Sequence, residues 1–130
     1  MSKEESVVLI LPLPSKYLSP NYKPYSRGGA IAKSRATRSY RTLARKAAAN
    51  AGIESGPWGK VKLYPVFFHK VNRRRDDVNH AQMLKSAYDG IVDSGLLVDD
   101  DSEHLETQPV KFYIDKEWPR VEITITKVDQ

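Results

Sequence analysis

No cysteine occurs among the 130 residues, which removes disulfide frameworks, thiolate zinc sites and cysteine nucleophiles from the functions open to this chain. No apolar run approaches the ~18 residues of a membrane span. The opening MSKEESVVLILPLP has too short an apolar stretch and no small-residue cleavage site, which predicts a cytoplasmic protein without a secretory signal. His69, His80 and His104 stand at no mutual metal-ligand spacing, and no serine sits in a nucleophile motif. Internal repeats and low-complexity segments are absent too. The most telling gap is local: from Ala30 to Gly52 there is not one acidic residue.

What is present is an uneven distribution of charge. The formal net charge is +5, but the two parts of the chain differ in sign. Residues 1–75 hold 16 Lys and Arg against 3 Asp and Glu, whereas residues 76–130 hold 5 against 13. A basic binding face joined to an acidic reaction centre fits such a split, and an acidic partner fits the excess. The length suits one domain with a single core, small enough to gain from dimerisation.

Local patterns predict an α/β (α+β) domain in the order β-α-β-α-β-β, a mixed sheet backed by two helices. Val7 to Leu11 reads as a buried first strand, and the following Pro-, Tyr- and Lys-rich LPSKYLSPNYKPYSRGG as a loop. Ala30 to Ala51 reads as a helix ended by Gly52. Ala32, Ala36, Tyr40, Leu43, Ala44, Ala47 and Ala51 share one face, and Arg35, Arg38, Arg41, Arg45 and Lys46 the other. With no acidic neighbours for i,i+4 pairing, that cationic face suits phosphate-backbone contact, against the plainer reading of a solvated helix. Gly59 to Lys70 reads as a strand in which Pro65 implies an edge or a bulge. A second helix starts at Asn79 as N-cap, buries Leu84, Ala87, Tyr88 and Ile91, and ends at Gly95. Val110 to Asp115 and Val121 to Lys127 alternate as the last two strands around a turn at Lys116–Pro119.

Two acidic groups flank this second helix: Asp76 and Asp77 directly after Arg73, Arg74 and Arg75, and Asp99, Asp100 and Asp101 beyond its end. Carboxylates beside dense positive charge suit a Mg²⁺-dependent phosphodiester nuclease, because magnesium takes hard oxygen ligands and usually only one or two carboxylates besides phosphate and water. The arginines would hold the polyanion that the carboxylates repel. A helix entrance and a solvated turn would use the same residues. Lys85 has two readings, a contact to phosphate or an i,i+4 pair with Asp89. Tyr17, Tyr22 and Tyr25, interleaved with Lys16, Lys23 and Arg27, suit stacking on unpaired bases or packing of the loop.

The chain resembles the RusA-type Holliday-junction resolvases of phages and prophages. LPLPSKYLSPNYKPYSRGGAIAKSRATRSYR is similar to that family's proline-and-asparagine loop with its basic helix. RRRDDVN…LKSAYDGIVDSGLLVDDDSEH is similar to its acidic core, a D-x-D-N motif, a lysine, then a glycine, two apolar residues and paired aspartates. The resemblance implies Mg²⁺-assisted hydrolysis of phosphodiester bonds in four-way DNA, with no small-molecule cofactor. It implies catalytic roles for Asp76, Asp100 and Lys85, metal ligation by Asp76, Asp77, Asp99 and Asp100, and a supporting role for Asn79. DNA contact then falls to Arg27, Lys33, Arg35, Arg38, Arg41, Arg45 and Arg73 to Arg75. Val78 departs from the motif, standing where the family has its second aspartate, with Asp77 as the neighbouring carboxylate. A non-catalytic protein that binds branched DNA, and a basic DNA-binding module without structure preference, are the competing readings.

A single helix from Asn79 to Ser94 would span about 24 Å, whereas ligands of one magnesium lie about 2 Å from it. The two acidic groups of one chain are then too far apart to share an ion, which predicts a homodimer with antiparallel helices and sites shared between subunits.

Overall fold

The computed structural model describes residues 5–52, 57–72, 77–96 and 105–128. Strand β1 (Ser6–Leu11) leads through a short 3-10 turn at Lys16–Leu18 into helix α1 (Arg27–Gly52). Then come β2 (Val61–His69), α2 (Asp77–Met83), α3 (Lys85–Asp93), β3 (Leu105–Thr107), β4 (Lys111–Ile114) and β5 (Arg120–Lys127). The five strands form one mixed sheet in the order β1-β5-β2, with β3 and β4 end to end along the far side of β2. β5 runs antiparallel to both β1 and β2, while β3 and β4 pair parallel to β2. This is the α+β domain that the patterning predicts.

Period-two alternation divides the sheet into two faces. Leu9, Leu11, Leu63, Phe67, Ile123 and Ile125 point inward and pack with Tyr40, Ala44 and Ala48 of α1 and Ala87 and Ile91 of α3. On the other face, Val8 and Ile10 stay half exposed, and Tyr64, Tyr113 and Trp118 are exposed too. Among the described residues, the helices therefore cover one face of the sheet and leave the other open, with large apolar side chains on it. No described helix is long and apolar enough to cross a membrane.

Several boundaries differ from the sequence expectation. Helix α1 starts at Arg27 because the Ser26 hydroxyl accepts the Gly29 N–H at 3.1 Å, an N-cap that draws both glycines into the first turn. Within it Leu43 is 42% exposed and Ala48, not Ala51, completes the buried stripe. Asn79 does not cap the second helix, which begins at Asp77. That helix is also interrupted at Leu84, whose φ of −92° and ψ of 0° separate α2 from α3, with the Leu84 N–H bonded to the Ala81 carbonyl. Gly95 does end α3, at φ 86°, the left-handed conformation glycine adopts without strain.

Pro65 lies neither on an edge strand nor at a bulge. It is fully buried in a strand paired on both sides. The carbonyls of Leu63 and His69 accept the N–H groups of Gln108 and Asp115, so by alternation the Pro65 nitrogen faces the same side. There the neighbouring strand is broken between Thr107 and Lys111, and no ladder bond is lost. Strand β3 has only three residues, too few to show alternation.

The helices meet most closely at Gly90. A Cβ there would collide with the Arg41 carbonyl oxygen and stand 3.0 Å from Ala44 Cβ. Helix propensity alone would make Gly→Ala favourable by about 1 kcal/mol, but the obstacle is backbone that cannot yield without moving α1. Gly90→Ala is therefore expected to lower unfolding free energy by about 2–3 kcal/mol in chemical denaturation. Gly28→Ala, whose nearest neighbour is the Ser26 hydroxyl at 3.9 Å, serves as the control and should be neutral or stabilising.

Candidate nucleic-acid interface

Helix α1 carries its cations on two distinct flanks. At 3.6 residues per turn, Arg35, Arg38, Ser39, Thr42 and Lys46 form one outward stripe, and all are exposed. Together with Leu43 they line a shallow depression of about 360 Å³. Arg27 and Arg45, also exposed, lie to one side of that stripe. This surface holds no acidic side chain, and it is the part of the expected DNA-binding set that the fold presents as a continuous face.

Arg41 has a different setting. Its Nε and Nη2 donate to the two carboxylate oxygens of Asp93 at 2.5 and 2.9 Å, a two-point bond between α1 and α3. Hydrogen bonding by Arg41 holds the Asp93 carboxyl below its ordinary range, partly opposed by desolvation and reinforced by the charges of Arg41 and Arg45. The pair stands directly beside the Gly90 contact and fixes the lateral register of the two helices.

Lys33 also departs from the outward stripe. It faces α3, where its ammonium donates to the Tyr22 carbonyl at 3.1 Å and lies 5.9 Å from the Tyr22 ring. The proline-rich loop thereby folds onto the start of α1. Tyr17 and Tyr22 pack on each other with ring centroids 4.9 Å apart, so these two rings hold the loop in place, while Tyr25 is fully exposed.

On the opposite wall stands Lys85. Its Nζ lies 3.5 Å from Asp89 Oδ1, so the i,i+4 pair is present, with the lysine side chain still 78% exposed. At that separation and exposure the pair holds the ammonium weakly. Lys33, Thr37, Lys85, Ser86 and Asp89 line one cleft of about 140 Å³ between α1 and α3. The fold thus brings a cation of the basic helix beside the lysine that precedes the second acidic group. Their sequence separation hid this, since nothing in the helical pattern shows that Lys33 faces α3.

His80 is not a surface histidine. It packs edge-on against Phe67 and Phe112 at 4.8 and 4.9 Å and against His69 at 5.4 Å. This aromatic cluster anchors the start of the second helix to the C-terminal end of β2. Asn79, one residue earlier, is partly buried there. Burial pushes the Tyr40 and Tyr88 phenols well above their ordinary range, which leaves them neutral hydrogen-bonding groups.

Arg73, Arg74, Arg75, Asp76, Asp99 and Asp100 lie outside the described residues, and Asp77 is placed as the first residue of α2. Among the described residues no three potential ligands gather at one point. The flanking residues do define where the two acidic segments attach. His80 sits on His69, at one end of β2. At the other end, Leu96 accepts the Trp58 N–H at 2.6 Å and Leu105 pairs with Val61. Eight residue steps of β2 separate these anchors, about 26 Å at the usual strand rise.

The chain matches no protein-family model, and no curated protein matches it. What it does rests on its own residues.

The Arg41–Asp93 pair gives a pH-dependent prediction. The folded-state carboxyl is depressed, so its contribution to stability is complete above the unfolded value of about 3.9 and is lost as pH falls through the folded value. Asp93→Asn should be less stable than the wild type at neutral pH, with the difference closing below about pH 4. Denaturant midpoints measured across pH check this. A difference that stays constant to pH 2 would remove the ion pair as its cause.

Proposed function

We propose that this protein is a Mg²⁺-dependent, structure-specific endodeoxyribonuclease of the RusA type, resolving four-way DNA junctions by paired nicks and acting in the cytoplasm in DNA recombination and repair. The observation that carries the reading is the convergence of Lys33 and Lys85 on one cleft beside an acid-free cationic helix face. Phosphate needs cations in that arrangement, and a polyanion needs a continuous run of them.

The donor set fits magnesium chemically, since Asp76, Asp77, Asp99 and Asp100 offer only carboxylate oxygens. When bound, the ion supplies Lewis acidity to the phosphate and lowers the pKa of an attacking water. The remaining work belongs to the chain. Arg35, Arg38 and Arg45 hold the duplex backbone, and Arg27 and Arg73 to Arg75 supply further phosphate contacts. Lys85 meets the scissile phosphate and stabilises charge developing on its oxygens. Lys33 seats the phosphate from the opposite wall. Arg41 supports binding indirectly by fixing α1 on α3, and Asn79 supports the first acidic group from within α2.

The ~26 Å between the anchors of the acidic segments favours sites shared between two subunits. A homodimer supplies them, with two equal sites for the two cuts that symmetric resolution needs. The open sheet face, with Val8, Ile10, Tyr64, Tyr113 and Trp118 exposed, offers the apolar surface such a dimer would bury.

Asp76→Asn and Asp100→Asn proteins should each bind a four-way junction but fail to cut it with Mg²⁺. Mixed and allowed to exchange subunits, they should regain nicking, because each heterodimer holds one intact site. Inert heterodimers, shown to form by differential tagging, would contradict the shared site. Normal cutting by both single variants would contradict the metal assignment itself.

A further inference from the structure

Beyond the α1–α3 cleft lies a second cavity that the proposed nuclease chemistry does not use. It has a volume of about 420 Å³ and opens between the second helix and the β3–β4 connection. Its walls include Pro65, Tyr88, Pro109 and Val110, with Gln108 and Thr107 as polar members. The volume falls in the range of small-molecule sites, and so does the composition, apolar walls with a few hydrogen-bonding groups.

This cavity and the cleft are adjacent. Gln82 and Lys85 line both, so the two spaces lie on either side of one short stretch of helix. Their chemistry differs. The cleft is lined by Lys33 and Lys85, with Asp89 as the one acidic member among the described residues. The Lys33 ammonium spends one donor on the Tyr22 carbonyl and carries two more. Ser86 lines the same cleft, and its hydroxyl oxygen is buried without a hydrogen-bond partner. Residue 86 as a whole is only 6% exposed. A buried hydroxyl left unpaired costs free energy, and an anionic oxygen in the cleft would relieve that cost.

We infer that the cleft and the cavity together form a single-nucleotide subsite, with the phosphate between Lys33, Lys85 and Ser86 and an unstacked base in the cavity between Tyr88 and Pro109. This deepens the nuclease reading and rests on it for the identity of the ligand as DNA. A nucleotide joins a flat apolar ring with polar edges to an anionic phosphate, and the paired spaces match both ends. Gln82 and Gln108 carry amide donors and acceptors suited to a base edge, and the flat proline and tyrosine surfaces suit stacking. A perfectly paired duplex keeps its bases stacked, whereas a branch point frees them at lower cost. The subsite therefore gives the protein a reason to prefer branched over linear DNA that does not depend on cutting.

The test uses the full chain without added metal, followed by amide NMR. Inorganic phosphate, deoxycytidine and each of the four deoxynucleoside 5′-monophosphates are titrated separately. At least one monophosphate should bind about tenfold or more tighter than phosphate, the gain expected of one stacked base. It should shift amides at Lys33 and Ser86 together with those at Thr107 and Val110. Filling the cavity by Thr107→Trp, or by Gln82→Phe at an exposed helix position, should reduce nucleotide affinity to that of phosphate while β5 and α1 signals keep their positions. Monophosphates binding no tighter than phosphate would overturn the inference, as would undiminished nucleotide affinity in the filled variants. No cleavage is read, so failure here leaves the nuclease proposal intact, and a protein that never cuts DNA would still show this binding.

Discussion

Helix α1 meets α3 at a point where only a glycine fits, and the placement of every cation on the helical side depends on it. Gly90 lets the α1 backbone come close at Arg41, and the Arg41–Asp93 bond fixes the helices against sliding. With that register set, Lys33 stands across a narrow cleft from Lys85, while Arg35, Arg38 and Lys46 are turned to solvent. The proline-rich loop takes its position from the same contact, since Tyr22 is held by Lys33. A wider separation of the helices would leave the cations in place along the sequence but not in one site.

The elements were legible wherever local chemistry decides them. Apolar runs placed β1 and β2 and alternation placed β4 and β5, because each of these strands turns apolar side chains toward the helices. The Gly95 stop was legible for the same kind of reason, a left-handed residue after a helix. The misplacement of Pro65 is tertiary in origin. Pro65 sits in a central strand because the break between β3 and β4 removes the demand for its N–H. Leu84 interrupts the second helix although no proline or glycine stands there.

Of the site, composition showed the acid-free helix and the opposed charge of the two halves. Geometry that depends on which side of a helix meets a neighbour was not visible. Arg41 and Lys33 belong by sequence to the same basic run as Arg38, yet one bridges to Asp93 and the other faces Lys85. Ser86 gives no sequence signal at all, since a serine in a helix ordinarily finds a backbone carbonyl. Its unpaired hydroxyl becomes informative only beside the two lysines. The surroundings of His80 were likewise hidden, since the pairing of β4 with β2 is what surrounds it with aromatic rings.

The proposed homodimer draws on the sheet face that the described helices leave uncovered and on the spacing of the residues that flank the two acidic segments. Both follow from placing the described helices on one side of a five-stranded sheet. The proposed chemistry is read out by cleavage of a branched substrate. Purified protein is incubated with an end-labelled four-way junction and with linear duplex of the same sequence, with Mg²⁺ and with chelator. Nicks are expected in opposing strands of the junction only, dependent on Mg²⁺. Retention of the junction without any metal-dependent nick, or equal cutting of the linear duplex, would contradict that chemistry.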